Sequence, residues 1–363
     1  MSGPDEQASS GSTAVTPGPG DLEYCCPRCK GSLEVSPSAY SCTPCRATYP
    51  IIADIPDFRL FSDPNREMRE DRREAEQLAE RSATLDFEAL VDHYWSTDFL
   101  SRSPGLVRNV NRHIFTAVPR SRRALAAIEE MLPNEVSGPS RSFLELGCGS
   151  GGFLVAARGR FGHVAGIDIA LRWLVMARKR LEEKGVSAQL VCCCVEHLPF
   201  RPEQVDLAVA GDVIEHTAMQ EELLAEAHRV LRDRGVLFAA TPNRLSLTKE
   251  PHVQLWGLGW LPRGLARRYV ARVRGLSYDS IFLRSRFGLA RLARRSPFRR
   301  FSIELPSFSI EEQEGLSPLK RRLMTVYNRV KDWPGVHSLL GLIGPVLQLV
   351  CIRDDDTTSS PPI

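Results

Sequence analysis

The stretch SFLELGCGSGG at residues 142–152 decides the fold, and HVAGID follows it at residues 163–168. Ser142–Leu146 is a short apolar run that predicts a buried strand. The glycines predict a sharp turn in which the backbone approaches a ligand with no side chain in between. A helical segment, Phe153–Arg160, then leads to a second predicted strand, His163–Ile167, which ends in Asp168. This order of elements is half of a doubly wound nucleotide-binding sheet.

The glycine turn alone does not identify the ligand, because Gly147, Gly149 and Gly152 also satisfy a dinucleotide-binding pattern. Glu145 decides between the alternatives. Its carboxylate precedes the first glycine by two positions, at the mouth of the crevice, where it would repel a pyrophosphate. S-adenosylmethionine has no phosphate and carries an ammonium and a sulfonium, which an anionic mouth suits. Asp168 can then accept hydrogen bonds from the ribose hydroxyls.

The downstream order of elements extends the same sheet. Asp206–Ala210 is a strand-like run, and GDVIEH follows it at residues 211–216. A helix is predicted over Glu221–Leu231 and a further strand over Val236–Ala240. The later runs Phe301–Phe308 and Val346–Arg353 are predicted to be the last two strands.

Five blocks of sequence resemble the class I methyltransferases, in particular the broad group that acts on small molecules, quinones and glycans. The blocks are ELGCGSG at 145–151, GID at 166–168, VEHLPF at 195–200, DVIEH at 212–216 and RVLRDRG at 229–235. The resemblance spans about residues 142–245. It implies an α/β fold, a Rossmann-like seven-stranded methyltransferase sheet with helices on both faces. It also implies S-adenosyl-L-methionine as the cofactor.

The resemblance assigns cofactor-binding roles to single residues. It places the methionine and sulfonium end at Glu145, Gly147 and Gly149, the ribose at Asp168 and the adenine beside Ile169. Cys194 stands where the family usually has an aspartate facing the adenine, and Val195 can still donate its backbone N–H. Neighbouring residues on a strand point to opposite faces, which argues against a shared metal site at Cys192–Cys194. Small buried apolar residues are the simplest interpretation of these cysteines. The remaining residues assigned to the cofactor site are Gly151 and Asp212.

Methyl transfer is an in-line displacement, which needs alignment of the reactants and a base if the nucleophile carries a proton. The candidate bases are Glu215 and His216, which follow the third strand-like run near the expected position of the methyl group. Helix capping and loop packing are the structural alternative for this pair. His252, after the next strand, is a further candidate.

The amino-terminal region contains two Cys-x-x-Cys pairs. Cys26 and Cys29 form the first pair, and Cys42 and Cys45 form the second after twelve intervening residues. Two such turns supply the four thiolates that tetrahedral Zn²⁺ prefers, which predicts a structural zinc ribbon. A redox dithiol pair and a degraded ribbon are the alternatives. Cys25 is an extra thiol that could replace Cys26 as a ligand.

The sequence YPIIADIPDF follows at residues 49–58. Together with the cysteine pairs, it resembles the small zinc-binding activator family that partners tRNA and protein methyltransferases. The resemblance covers about Leu22–Leu60 and implies a fused accessory module with no second active site.

The predicted domain organisation has five parts. A disordered tail over residues 1–20 precedes the zinc-ribbon module at 21–60 and a helical linker or cap at 61–140. The methyltransferase domain covers 141–353, and a second disordered tail covers 354–363. The helical region is either a packing layer or a cap over the substrate site, and in a cap His93, Tyr94 and Trp95 would face the substrate.

Residues 246–300 form an arginine-rich substrate or lid region that begins with the aromatic, glycine-rich loop Leu255–Trp260. Only Asp279 opposes the arginines between residues 263 and 300. They suit an acidic or phosphate-bearing acceptor, an anionic membrane surface, or RNA. The arginines are Arg263, Arg267, Arg268, Arg272, Arg274, Arg284, Arg286, Arg291, Arg294, Arg295, Arg299 and Arg300.

Three functions fit these patterns. The preferred one is a methyltransferase that acts on a small-molecule, glycan or lipid-linked acceptor, at oxygen. An rRNA or tRNA methyltransferase that grips RNA with ribbon and arginines is the second, and a non-catalytic binding protein of the same fold is the third. The net charge of +3 implies no partner by itself. Without a signal sequence, and with its longest apolar stretch at Leu339–Ile352, the chain is expected to be cytoplasmic.

Overall fold

The computed structural model describes residues 18, 20–64, 66–97, 104–132, 136–307 and 318–354. The predicted disordered tails lie outside the described residues, except for Gly18, Gly20 and Asp354. Within the described part of the chain, no helix is long and apolar enough to cross a membrane.

The amino-terminal module is a small antiparallel sheet of four strands in sequence order. Tyr40 pairs with Tyr49 across its central strands. The strands are β1 (Leu33–Val35), β2 (Ala39–Cys42), β3 (Thr48–Ile52) and β4 (Ile55–Pro56).

The second sheet has seven strands in the order β10-β11-β9-β8-β5-β6-β7. Its strands are β5 (Gly138–Leu146), β6 (Phe161–Asp168), β7 (Gln189–Cys192), β8 (Val205–Gly211), β9 (Leu231–Pro242), β10 (Arg300–Glu304) and β11 (Val346–Ile352). Strands β5 to β9 are parallel, whereas β11 runs antiparallel to both of its neighbours. The predicted doubly wound, seven-stranded sheet is confirmed.

Helices cover both faces of this sheet. Before β5 lie α1 (Met68–Ser82), α2 (Phe87–Thr97), α3 (Pro104–Phe115) and α4 (Ala117–Met131). Between the strands lie α5 (Gly152–Ala157), α6 (Leu171–Lys184), α7 (Gln220–Val230), α8 (Arg263–Arg274), α9 (Arg286–Arg295), α10 (Pro318–Val330) and α11 (Pro334–Ile343).

Strand β5 shows why the apolar run at its end is continuous. Leu144 and Leu146 pack into one core cluster, and Phe143 packs into the cluster on the opposite face. A strand that is covered by helices on both faces buries consecutive side chains, so it does not alternate between apolar and polar residues. The buried carboxylate of Glu145 interrupts this run, and it therefore needs a functional explanation.

Several element boundaries differ from the sequence prediction. Strand β5 begins at Gly138, three residues before the predicted start of the domain at 141. Helix α5 ends at Ala157, because Gly159 adopts a positive φ of 72° in the turn that follows. Strand β10 covers Arg300–Glu304, a shorter span than the predicted strand.

The cysteine module packs directly against the large sheet. Backbone bridges join Tyr24 to Phe200 and Asp57 to Cys192, beside the edge strand β7. Tyr24 also packs against Phe58 and Phe200, with ring centroids 5.2 and 5.9 Å apart, in a core that both modules share. The module is therefore a part of the packed core of this protein.

Candidate cofactor and acceptor site

The glycine turn lies at the point where the sheet reverses its strand order. It follows β5, whose neighbours are β6 on one side and β8 on the other. In open α/β sheets, a ligand crevice forms outside the carboxyl ends of the strands at this position.

The glycines of this turn meet different surroundings. A side chain at Gly147 would place its Cβ 2.5 Å from the Cγ2 atom of Val213, and one at Gly152 would place it 2.7 Å from the Cβ of Ala117. Gly149 has a φ of +47°, and a Cβ there would meet no atom within 4 Å. The protein therefore packs tightly on two sides of the turn and leaves open the side at Gly149.

Asp168 is held against this turn by two backbone amides. Its Oδ2 atom accepts a hydrogen bond from the N–H of Gly149 at 2.8 Å, and its Oδ1 atom accepts one from Ala170 at 2.8 Å. Burial raises the pKa of Asp168 to about 6, although both amides favour the charged form. A carboxylate has about four acceptor positions, so this one can still accept from a ligand.

Glu145 is buried beneath the same crevice, with an exposed fraction of 6%. Its Oε2 atom is buried and has no hydrogen-bond partner. Burial raises the pKa of Glu145 well above its ordinary value, and the nearby carboxylate of Asp168 raises it further. An unpaired buried carboxylate is costly, and a cation in the crevice would relieve that cost. The two carboxylates, which accept hydrogen bonds, therefore fit a ligand that carries both a positive charge and the hydroxyls of a ribose.

Helices α3 and α4 line the other side of the turn, which the sequence patterns did not reveal. Arg180 of α6 donates to the hydroxyl of Ser150 at 3.0 Å and to the carbonyl of Ile114 at 2.9 Å. Arg120 contacts His113 at 2.8 Å, and burial, together with this guanidinium, lowers the pKa of His113. The sequence predicts only a helical linker or cap over residues 61–140, without naming its partner.

The segment after the cysteine module closes the predicted adenine end. The buried thiol of Cys194 donates to the backbone carbonyl of Phe61 at 3.7 Å. Cys193 donates its N–H to the carbonyl of Asp168 at 3.0 Å, next to the half-buried Ile169. The side chain of Cys194 is thus directed toward the preceding module, and Val195 beside it is half-buried.

A buried ion network ties this segment to the loop after β6. Arg59 has a fully buried side chain that pairs with Asp57 at 2.8 Å and with Asp71 at 2.6 Å. The same guanidinium donates to the carbonyl of Ile169 at 2.9 Å. Arg172 pairs with Asp71 at 2.5 Å from the other side. The position of the loop after β6 therefore depends on residues of the amino-terminal region.

A second polar cluster lies after β8, where the candidate bases were predicted. Glu215 is fully buried, accepts a hydrogen bond from the Thr241 hydroxyl at 2.8 Å, and keeps its Oε1 atom without a partner. Burial raises its pKa to about 7, and Asp212 contributes. His216 is exposed, and its Nε2 atom lies 3.2 Å from the Nε2 atom of His252. The structure thus brings all three candidate bases together.

The four predicted zinc ligands also converge. The Sγ atoms of Cys26 and Cys45 are 3.6 Å apart, those of Cys29 and Cys42 are 3.4 Å apart, and all four lie within 4.8 Å of one another. Cys25 points away from them and donates to the carbonyl of Phe200 at 3.0 Å. The cluster is therefore the one predicted with Cys26, and its four sulfurs fit a tetrahedral metal ion.

The aromatic residues suggested as substrate-facing are core residues. Tyr94 and Trp95 are 2% and 6% exposed and pack around Trp173, with ring centroids 5.4 and 6.3 Å away. His93 is half-buried on the same helix. The burial of both rings supports the packing-layer interpretation of α2.

Much of the arginine-rich region is bound to the protein itself. Arg284 donates to Gln220 at 2.6 Å, Arg274 to the carbonyl of Val253 at 3.0 Å, and Arg295 pairs with Glu221 at 3.3 Å. Two acids from distant parts of the chain, Glu221 and Asp354, thus oppose Arg295 and Arg300. Arg268 and Arg272 form no ion pair with the acids that the structure describes.

The sheet order, the glycine turn and the paired acids define a class I methyltransferase fold. Residues 144–239 match the sequence model of a family described as a methyltransferase domain. The match covers the turn, Asp168 and the polar cluster at Glu215 and His216. This part of the chain is therefore similar in sequence to methyltransferase domains.

Curated relatives match over the same region. A ubiquinone biosynthesis O-methyltransferase of Methylobacterium sp. is 35% identical over 130 residues, which are 34% of this chain and 50% of that protein. Another, from Chelativorans sp., is 27% identical over 51% of this chain and 74% of its own length. The chain spans about half the length of most of the curated relatives it matches.

Solved structures resemble the chain more distantly. A phosphoethanolamine N-methyltransferase 2 of Haemonchus contortus, in complex with S-adenosyl-L-methionine, is 17% identical, with a TM-score of 0.46 over 71% of this chain and 60% of that one.

Proposed function

We propose that this protein transfers a methyl group from S-adenosylmethionine to an oxygen of a small-molecule acceptor. The observation that carries the proposal is the pair of acids around the open turn at Gly149. Glu145 supplies an unpaired buried carboxylate for the ammonium end of the cofactor, and Asp168 supplies acceptor positions for its ribose. The matched methyltransferase family and the O-methyltransferase relatives support the same chemistry.

The reaction exchanges one bond for another. The bond between the methyl carbon and the sulfonium sulfur breaks, a bond between that carbon and the acceptor oxygen forms, and S-adenosylhomocysteine leaves. A hydroxyl acceptor must also lose its proton. His216 and Glu215 are the proposed residues for this step, because they follow β8 beside the glycine turn and form one polar cluster with His252. Because His216 is exposed and Glu215 is fully buried, His216 is the proposed direct contact to the acceptor.

We propose an anionic or lipid-linked acceptor on the basis of the arginine-rich region. Arg268 and Arg272 lie on α8, which also presents Leu265, Tyr269 and Val273 as exposed apolar side chains. A surface with both guanidinium groups and apolar side chains suits an acceptor with an acidic group and an apolar body. RNA could stack a base on Tyr269, but it has little use for the aliphatic Leu265 and Val273, so the small acceptor is preferred.

The four-cysteine cluster is proposed to hold a structural Zn²⁺. Four thiolates complete a tetrahedral shell and leave no open position for a substrate. The ion would supply folding energy to a module too small for an independent core. That module positions Arg59, which contacts the carbonyl of Ile169 beside the cofactor.

Calorimetric titration of the full-length protein with S-adenosylmethionine and with S-adenosylhomocysteine tests the cofactor. Binding of one molecule per chain is expected. The variant Asp168→Asn should bind at least tenfold more weakly, since it replaces a charged acceptor with a neutral one. Asp233→Asn, on β9, is the matched control and should bind as the wild type does. An absence of binding by wild-type protein would refute the proposal.

Transfer from methyl-tritiated S-adenosylmethionine tests the acceptor class. The protein is incubated either with phenolic and polyprenyl-phenolic acceptors or with total rRNA and tRNA. We expect label in the organic-extractable product, and loss of that label in His216→Ala. Label in acid-precipitable RNA alone would refute the small-molecule acceptor and support the RNA-directed enzyme.

A further inference from the structure

Two histidines from different parts of the chain face each other in the polar cluster. The Nε2 atoms of His216 and His252 are 3.2 Å apart, although 36 residues separate them. Two nitrogen ligands that each lie about 2.1 Å from one metal ion are about 3.0–3.4 Å apart when the angle between them is octahedral or tetrahedral. The observed separation falls inside that range.

His252 is oriented as a metal-binding histidine usually is. The carboxylate of Glu250 contacts its Nδ1 atom, and that carboxylate is itself fixed by the backbone N–H of Val253 at 2.9 Å. A carboxylate on one ring nitrogen holds the proton there and leaves the lone pair on the other nitrogen for a metal. The lone pair then points at His216.

Glu215 supplies an oxygen to the same point. One ligand atom each from Glu215, His216 and His252 lie within 4.8 Å of one another. The Oε1 atom of Glu215 is buried without a hydrogen-bond partner, on a side chain with no exposed surface. If Glu215 served only to pack the core, a charged oxygen would not be expected at this buried position. If it served to cap a helix, the oxygen would accept a hydrogen bond from a backbone N–H. A cation is the group that would satisfy it.

The cluster adjoins the cofactor crevice. Glu215 and His216 lie on a single 3₁₀ turn that begins at Ile214. The preceding residue, Val213, is the one that a side chain at Gly147 would strike. The cluster is therefore two residues from a direct contact with the glycine turn. His216 is exposed, so the site is open to an acceptor.

We propose that Glu215, His216 and His252 bind a first-row divalent metal ion of the Mn²⁺, Fe²⁺ or Zn²⁺ kind, whose open positions hold the acceptor oxygen. Two imidazoles and one carboxylate suit these ions better than Ca²⁺, which takes oxygen ligands. Such an ion would lower the pKa of a bound hydroxyl, whose proton would then leave to water. In that case Glu215 and His216 would act as ligands of the ion, in place of the direct base role given to them above. The catalytic part of this proposal rests on the proposed methyl transfer, whereas the metal site stands alone. Glu250 is a positioning residue for His252.

The test uses full-length protein whose cysteine cluster is loaded with zinc. Mn²⁺ is titrated in, and free Mn²⁺ is followed by electron paramagnetic resonance. Manganese is a suitable probe because it competes poorly with zinc for thiolates. We expect one bound Mn²⁺ per chain. His216→Ala and His252→Ala should weaken binding at least tenfold, and Glu250→Gln should weaken it about tenfold. His337→Ala, a histidine of α11 outside the cluster, should bind as the wild type does.

Calorimetry with S-adenosylmethionine on the same variants separates the outcomes. A His252→Ala protein that keeps its cofactor affinity but loses Mn²⁺ supports the metal site and excludes misfolding as the cause. Cofactor binding without Mn²⁺ binding in the wild type overturns the metal site and leaves the proposed function standing. Mn²⁺ binding without cofactor binding would support the metal site and overturn the proposed function. Equal Mn²⁺ affinity in wild type and His216→Ala would also overturn the metal site.

Discussion

The carboxylate of Asp168 accepts a hydrogen bond from the backbone N–H of Gly149 at 2.8 Å, across the gap between β5 and β6. The bond fixes Asp168, the acid proposed to bind the ribose, relative to the glycine turn before any ligand arrives. Glu145 lies beneath the same turn with an unpaired oxygen. The proposed cofactor site therefore contains one acid that is fixed to the glycine turn and a second acid with an unpaired oxygen.

Cofactor affinity should depend on pH through Asp168. Burial raises its pKa to about 6, and only the ionised carboxylate accepts from both ribose hydroxyls. Affinity for S-adenosylmethionine should fall about tenfold per pH unit below pH 6 and level off above pH 7. Calorimetry between pH 5 and pH 7.5 measures this. Asp168→Asn should bind weakly and lack the component of the profile centred near pH 6, while the dependence that the raised pKa of Glu145 produces remains. A wild-type profile without the component near pH 6 would contradict the assignment.

The same shift predicts an opposite trend in the stability of the unbound protein. The folded-state pKa of Asp168 lies above the ordinary aspartate value of about 3.9, so the folded state binds the extra proton. This residue's contribution to stability is therefore lost as pH rises from about 4 through 6. Denaturant unfolding of wild type and Asp168→Asn should show that the variant lacks this component.

A leucine at Gly149 should block the cofactor. Gly149 and Gly159 both have positive φ values, 47° and 72°, and a Cβ at either position would meet no atom within 4 Å. Replacement at either position should cost about 1 kcal/mol of stability through backbone strain. Only Gly149→Leu should lower cofactor affinity, by at least tenfold, because only that side faces the crevice. Equal affinities of the two variants in calorimetry would show that the open side is not the cofactor side.

Zinc content should depend on the four clustered cysteines and not on Cys25. Cys29→Ser should reduce zinc well below one ion per chain, because it removes one of four thiolates. Cys25→Ser should retain zinc, since its side chain lies outside the cluster and donates to Phe200. Plasma mass spectrometry of the purified proteins measures both. Retention of zinc by Cys29→Ser, or its loss in Cys25→Ser, would exclude the proposed ligand set.

Removal of Arg59 should affect both stability and cofactor binding. Arg59→Met leaves Asp57 and Asp71 with less compensation in a buried site, which should cost about 3–5 kcal/mol. It also removes the donor to the carbonyl of Ile169, so cofactor affinity should fall. Arg201→Met breaks an exposed pair with Glu23 and should cost less than about 1 kcal/mol. Chemical denaturation and calorimetry of the two variants make the comparison. Similar losses of stability and cofactor affinity in the two variants would contradict a special role for the buried network.

The spacing of residues along the chain was enough to predict most of the fold and part of the proposed site. The turn at residues 147–152, the strand ending in Asp168 and the paired cysteines are each encoded within about twenty residues of chain, so their geometry follows from backbone constraints and side-chain periodicity. Spacing also favoured Cys26 over Cys25. It could not show the direction in which Cys25 points, because that depends on the packing of its module against Phe200.

The sequence by itself determined the doubly wound sheet, the acids around the glycine turn and the four thiolates, because each is a short-range pattern with a fixed geometric meaning. Only the tertiary structure decided that His216 meets His252, that Arg59 reaches Ile169, and that Tyr94 and Trp95 are core residues. It also decided that two acids far along the chain, Glu221 and Asp354, pair with Arg295 and Arg300. These contacts join elements that are far apart in the sequence. They depend on how whole layers of the protein pack together, so local spacing cannot predict them.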